Sequence, residues 1–223
     1  MAILIQVLVV LFVFWATPVL GGTYWIHPSG AAAWGNCQSV TDPGQGRYCS
    51  MATANSALLA GDIVFMKGGI YGTGIAPRNS GTIGNFITYQ NAPGETVIIS
   101  GPIDAIYIQD VDYIKIVGVK VSNVDRFFFI GYGADHNEIN GCSFDRSTSK
   151  QYSVGLITDY NSSFTARKAT THNWIRNNTF SRYGHMSNCD DIGTIRIGAD
   201  EADTTSHNTF EGNVFSYGGH DNL

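Results

Sequence analysis

Two histidines occupy matching places late in the chain: His185 follows Phe180 by five residues, and His220 follows Phe215 by five. An imidazole with a reference pKa of about 6.5 takes up and releases a proton near neutral pH, so it serves as a general base with little tuning. Carboxylates gather near the same positions: Asp190, Asp191 and Asp221, then Asp200, Glu201 and Asp203. Ca2+ prefers several carboxylate and carbonyl oxygens, which makes Asp190, Asp191 and Asp221 the candidate metal ligands. Each reading has a structural rival. Asp190-Asp191 can cap a turn, and Asp200, Glu201 and Asp203 read as a solvated loop.

These residues become neighbours only if the chain repeats, and it does. His136-Asn137-Glu138-Ile139-Asn140-Gly141-Cys142-Ser143-Phe144 recurs from His172 to Phe180 and again from His207 to Phe215, at spacings of 36 and 35 residues. A weaker copy, Tyr113 to Val121, lies 23 residues before the first. Each copy alternates apolar residues with Gly or Asn, the period-two pattern of short strands. Strand-only units at this period predict a solenoid, because one coil cannot bury its own inward face whereas stacked coils share an interior of Ile, Val and Phe. Stacking at about 4.8 Å would set Asn137, Asn173 and Asn208 above one another as a hydrogen-bonded amide ladder. His136, His172 and His207 then fall at turns, in structural roles.

Upstream strands are expected at Asp62–Lys67, Phe86–Gln90, Thr96–Ser100, Ala105–Gln109 and Phe127–Ile130, with turns at Lys67-Gly68-Gly69, Ala92-Pro93-Gly94-Glu95 and Gly101-Pro102,. Residues 51–60 form the one convincing helix, suited to capping the first coil. Cys37 and Cys49 flank a Gly- and Ser-rich stretch, where a disulfide would close a short loop. Cys142 reads as a buried free thiol, and Cys189 has no evident partner. None of the four has CxxC spacing.

Residues 3–15 are apolar except for Gln6 and precede Gly21-Gly22. That run is short for a membrane span and fits a signal peptide over residues 1–21, despite the absence of Lys or Arg before it, with an uncleaved anchor as the alternative. The organisation expected is therefore a signal peptide (1–21), an N-terminal strand, disulfide loop and capping helix (22–60), and coils (61–223). The composition agrees: 223 residues are 43% hydrophobic and only 14% charged, with 26 Gly, 12 Phe and 11 Tyr. A net charge of −5 without a basic run gives no footprint for nucleic acid.

Several stretches resemble a known group. Tyr24-Trp25-Ile26-His27-Pro28-Ser29-Gly30, the run Ala60 to Tyr71, the run Asn79 to Tyr89, Pro93-Gly94-Glu95 and Ile99-Ser100-Gly101 are similar to the amino-terminal part of secreted right-handed parallel β-helix polysaccharide lyases. That group includes chondroitinase B, alginate lyases and some pectate lyases. The resemblance implies an all-β, right-handed parallel β-helix with a short N-terminal capping helix. It also implies an extracellular or periplasmic monomer, free of the membrane after signal cleavage, whose partner is a polysaccharide.

In such solenoids long acidic sugars bind along one strand face flanked by longer loops. Here the loops after the repeat phenylalanines lengthen along the chain. Strand register is expected to make Tyr107, Phe129, Leu156 and Arg196 outward neighbours on successive coils. Tyr107 and Phe129 would stack on sugar rings, and Arg196 would pair with a substrate carboxylate. Lys150 and Arg182 fall on groove-side loops. With His185 or His220 as base and Ca2+ or Arg196 neutralising the uronate, β-elimination is the leading chemistry. A glycoside hydrolase using Asp190, Asp191 and Asp221 is one alternative, and a non-catalytic glycan-binding or cell-surface protein is the other. No lyase residue transfers by motif match, and the Tyr, Asp, His signature of an alginate epimerase is not evident. The lyases carry their base and calcium ligands on later coils, and no capping segment follows Leu223, so a partial chain is expected.

Overall fold

The computed structural model describes residues 21–147, 154–157, 169–182, 195–197 and 205–216. The chain enters through β1 (Thr23–Ile26), which buries Trp25 and Ile26. A 3-10 turn at Trp34–Asn36 and helix α1 (Met51–Ala57) follow. The Ser50 hydroxyl caps α1 by accepting the Thr53 N–H at 3.1 Å,. Met51, Ala54 and Leu58 join the core. The helix stops at Ala57, three residues short of the expected end, because Leu58 turns to an extended ψ of 140°. Cys37 and Cys49 are disulfide-bonded and fully buried, so the loop they close is fastened under the first coil.

The chain then winds in coils. The first carries β2 (Ile63–Met66) and β3 (Gly69–Tyr71), and the second carries β4 (Ile87–Asn91), β5 (Val97–Ile99) and β6 (Asp104–Gln109). The third has β7 (Ile114–Val117), β8 (Lys120–Val124) and β9 (Arg126–Gly131), and the fourth β10 (Glu138–Asn140), β11 (Ser143–Ser147) and β12 (Val154–Ile157). The fifth has β13 (Trp174–Arg176), β14 (Thr179–Ser181) and β15 (Ile195–Ile197), before β16 (Thr209–Glu211) and β17 (Val214–Ser216). Every named strand pair is parallel, in three sheets: A (β1-β2-β4-β7-β10-β13-β16), B (β3-β5-β8-β11-β14-β17) and C (β6-β9-β12-β15). The architecture is a right-handed parallel β-helix. The strands expected upstream all form, with ends shifted by a residue or so. Gly69, read as part of a turn, instead opens β3.

Side chains repeat vertically, as the sequence spacing demands. Asn173 Oδ1 accepts from Asn137 Nδ2 at 3.0 Å, and Asn208 Oδ1 accepts from Asn173 Nδ2 at 2.9 Å. The backbone N–H groups of Ile114, Asn137 and Asn173 donate to the same amide column. A second ladder stands at the A-to-B corner, where Asn178 Nδ2 donates to Asn213 Oδ1 at 3.1 Å and Asn178 Oδ1 accepts the Cys142 N–H at 2.8 Å. That corner needs the left-handed region, and Gly118, Gly141, Asn177 and Gly212 supply it with φ of 75, 65, 55 and 63°,.

Tyr113, His136, His172 and His207 also lie at positive φ, before sheet A, and their rings stack at 5.0, 4.9 and 5.1 Å. These histidines are therefore corner residues, as the repeat suggests. Inside, Phe144, Phe180 and Phe215 stack at 4.9 and 4.7 Å. Each fully buried ring stabilises the stack by about 2–3 kcal/mol through area removed from water. Cys142 is a buried free thiol whose pKa burial pushes up to about 12.

Candidate functional site

Sheet C is the face beside which the chain between strands lengthens over the later coils. Only Asp125 separates β8 from β9, residues 148–153 separate β11 from β12, and residues 182–194 separate β14 from β15. Along β6 and β9, and at Val154 of β12, alternate residues face in: Ile106, Ile108, Phe128, Ile130 and Val154 all join the core,. The residues between them face out. Register puts Tyr107 beside Phe129, Phe129 beside Gly155 and Gly155 beside Arg196. Tyr107 and Phe129 thus stand in the expected outward column, and Arg196 holds the register position in line with them. Leu156 does not: it pairs with Ile130 and Ile197, one position along. A one-residue shift flips a strand residue to the other face, and Gly155 takes the outward place.

The outward aromatics differ in access. The Tyr107 ring stacks on Phe129 at 5.1 Å, Tyr132 lies 5.5 Å from Phe129, and the Arg126 guanidinium sits over the Phe129 ring at 5.3 Å. Phe129 is only 3% exposed, so its ring is a floor for Tyr107 and not a surface a sugar can reach. Half-buried Tyr107 is the accessible member. Arg126 is held by Asp104 through Nε–Oδ1 and Nη2–Oδ2 contacts of 2.5 and 2.7 Å, a bidentate pair at the start of sheet C,.

A further strip of chain extends this face below β6. Ile75 bridges Ile106 in parallel, and the Tyr107 N–H donates to Ile75 O at 2.8 Å. Ala76 therefore precedes Tyr107 in its outward column, and Arg78 precedes Gln109. A pocket of about 420 Å3 opens there, with Arg78, Tyr107, Gln109 and Asp110 in its lining. Two residues beyond Asp110, the Asp112 carboxyl is held above the usual range, chiefly by burial. A larger pocket of about 550 Å3 is lined by N-terminal residues such as His27, Tyr48 and Lys67. Its Lys67 ammonium is already tied to Asp42 and Glu95.

The sequence pattern missed Arg78, Gln109 and the Asp104–Arg126 pair. Ile75 forms a single bridge with no strand around it, so no strand was expected there. The signal present was alternation: Ile75-Ala76-Pro77-Arg78 matches Ile106-Tyr107-Ile108-Gln109. Arg182, expected beside the groove, is engaged with Asp145, to which its Nε donates at 2.7 Å. That contact holds the Asp145 carboxyl below its usual range.

His185, His220, Asp190, Asp191, Asp221, Asp200, Glu201, Asp203, Lys150 and Cys189 lie outside the described residues. Arg196 is placed by its strand register. Among the described residues no three His, Cys, Asp or Glu side chains gather in a way that could hold a metal ion. No helix among them is long and apolar enough to cross a membrane.

Solved structures that share this fold include two lyases. A rhamnogalacturonan lyase superposes with a TM-score of 0.58 at 17% identity, over 88% of this chain and 50% of that one. The pectate lyase Pel9A gives 0.58 at 18% identity, over 86% and 46%. The chain spans about half the length of each. At this identity the likeness shows the parallel β-helix alone. No family model matches the sequence, and no curated protein matches it.

Proposed function

We propose that this is a secreted, monomeric carbohydrate-active protein that binds a uronate-containing polysaccharide along sheet C and cleaves it by β-elimination. The observation that carries the reading is the outward column Tyr107–Phe129–Gly155–Arg196, a flat strip with an accessible aromatic ring near one end and a cation position at the other. Tyr107, backed by Phe129, offers a stacking surface for a sugar ring. Arg196 is assigned to a substrate carboxylate, which a guanidinium recognises in bidentate fashion. The solved neighbours named as pectate lyase and rhamnogalacturonan lyase support the substrate class. The buried Cys37–Cys49 disulfide supports an oxidising compartment,.

The chemistry follows from the uronate. His185 or His220 removes the carbon-bound proton next to the carboxylate. That bond's electron pair forms a carbon–carbon double bond as the carbon–oxygen bond to the neighbouring sugar breaks, and the departing oxygen takes up a proton. Arg196 neutralises the carboxylate, onto which negative charge spreads as the proton leaves. Asp190, Asp191 and Asp221 are the residues that would hold Ca2+, which when bound would add positive charge beside the same carboxylate.

Incubation with pectate, alginate and chondroitin in the presence of Ca2+, followed by ultraviolet absorbance, tests the proposal. Unsaturated products are expected from one of the three, falling at least about 100-fold in a His185→Ala, His220→Ala double variant that still binds polymer. New reducing ends without unsaturation would point to the hydrolase. Tight binding with no product, unchanged in the double variant, would point to the binding protein.

A further inference from the structure

Arg78 is an exposed guanidinium at the rim of the pocket that opens onto sheet C. Among the described residues its side chain has no ion-pair or hydrogen-bond partner, whereas Arg126, Arg176 and Arg182 are bound to Asp104, Glu138 and Asp145. An unpaired charge on a long side chain is ordinary at a surface. Here, however, the backbone that bears it is fixed in several ways. Pro77, buried beneath it, restricts φ,. The Arg78 N–H donates to Asn55 O at 2.9 Å, and Asn55 Nδ2 donates to Gly74 O at 3.0 Å. Asn55 is itself held by the Tyr89 hydroxyl at 3.2 Å. Gly74 approaches β6 so closely that a Cβ would meet Asp104 O at 2.4 Å. Arg78 is thus anchored to the capping helix and to the first C strand together.

The register gives that anchored charge a place along the strip. Arg78 precedes Gln109, and Gln109 lies beside Gly131, which lies beside Ile157. This second line of register positions runs parallel to Tyr107–Phe129–Gly155–Arg196. Arg78 stands on the rung before β6 and Arg196 on β15, four rungs later, which is about 19 Å at strand spacing. A hexuronate unit in a linked chain spans a length similar to one rung.

We infer that Arg78, with Tyr107 and Gln109, forms a carboxylate-binding subsite at the N-terminal end of the strip, so that an acidic oligosaccharide of about five units or more bridges Arg78 and Arg196. The inference rests on the proposed polysaccharide function and deepens it. The guanidinium takes a uronate carboxylate, the Tyr107 ring takes a sugar face, and the Gln109 amide takes hydroxyl groups. Asp110 lines the same pocket and disfavours a second carboxylate beside the first, so the subsite accepts one acidic unit.

Calorimetry on the full chain with hexagalacturonate, digalacturonate and methyl-esterified hexagalacturonate tests this. Arg78→Gln is expected to weaken the acidic hexamer about tenfold and to leave the esterified hexamer unchanged, with Arg78→Lys recovering part of the loss. If wild type binds the acidic hexamer and Arg78→Gln binds it equally well, the subsite is refuted and the wider proposal stands. If wild type binds none of the three, both fall for galacturonate polymers. Should Arg78→Gln melt early, the Arg78 Nε–Hε resonance of wild type decides: it must shift on titration with hexagalacturonate, and a resonance that stays fixed at saturation overturns the subsite.

Discussion

Asn173 shows how much one side chain carries in a stacked fold. Fully buried, its amide accepts from Asn137 N and Nδ2 and donates to Ala134 O and Asn208 Oδ1. Asn173→Leu fills the space but orphans the Asn137 N–H and the Ala134 carbonyl. The expected cost is about 3 kcal/mol, read as a lower denaturant midpoint. Glu138 makes a pH-dependent prediction. Burial pushes its carboxyl up, but the Arg176 hydrogen bond and the charges of Lys115 and Arg176 more than offset this and leave it below its ordinary value of 4.5. The native state then binds fewer protons than the unfolded chain in this window, so the contribution is present above about 4.5 and is lost as pH falls below it. Glu138→Gln should remove that part of the acid limb of stability. Asp112 works in the opposite direction: its raised pKa means that acid relieves its desolvation.

Elements were legible wherever the sequence itself carried their constraint. The Asn ladder could be read because each Asn sits at the same offset in successive copies, and alternation placed the upstream strands. The end of α1 could not, because Leu58 leaves the helix to fill the core, a tertiary choice that propensity does not encode. Likewise the second ladder at Asn178 and Asn213 was hidden because Cys142 holds the equivalent place one coil earlier. The N-terminal segment gives a prediction at this scale. Cys37 and Cys49 are separated by 12 residues, and removing both by Cys→Ser substitution should cost about 3 kcal/mol. Thermal melting with and without reductant checks it, since the double variant should lose the reductant sensitivity that this bond confers.

For the molecule as a whole, stacking turns sequence spacing into a surface. Steps of 22, 26 and 41 residues each become one rung, so Tyr107, Phe129, Gly155 and Arg196 form a line that no local motif reveals. The outward column was legible to within one residue, and the error at Leu156 came from the difficulty of fixing register inside an apolar run. Arg78 stayed hidden because its segment makes a single bridge in place of a strand. The account's central claim is that sheet C is the face that receives an acidic polysaccharide. Diffraction from crystals soaked with hexagalacturonate tests it most directly. Sugar density is predicted along the outward face of sheet C, over Tyr107 and between the rungs of Arg78 and Arg196. Density on the outer faces of sheets A or B, with sheet C bare, would contradict it.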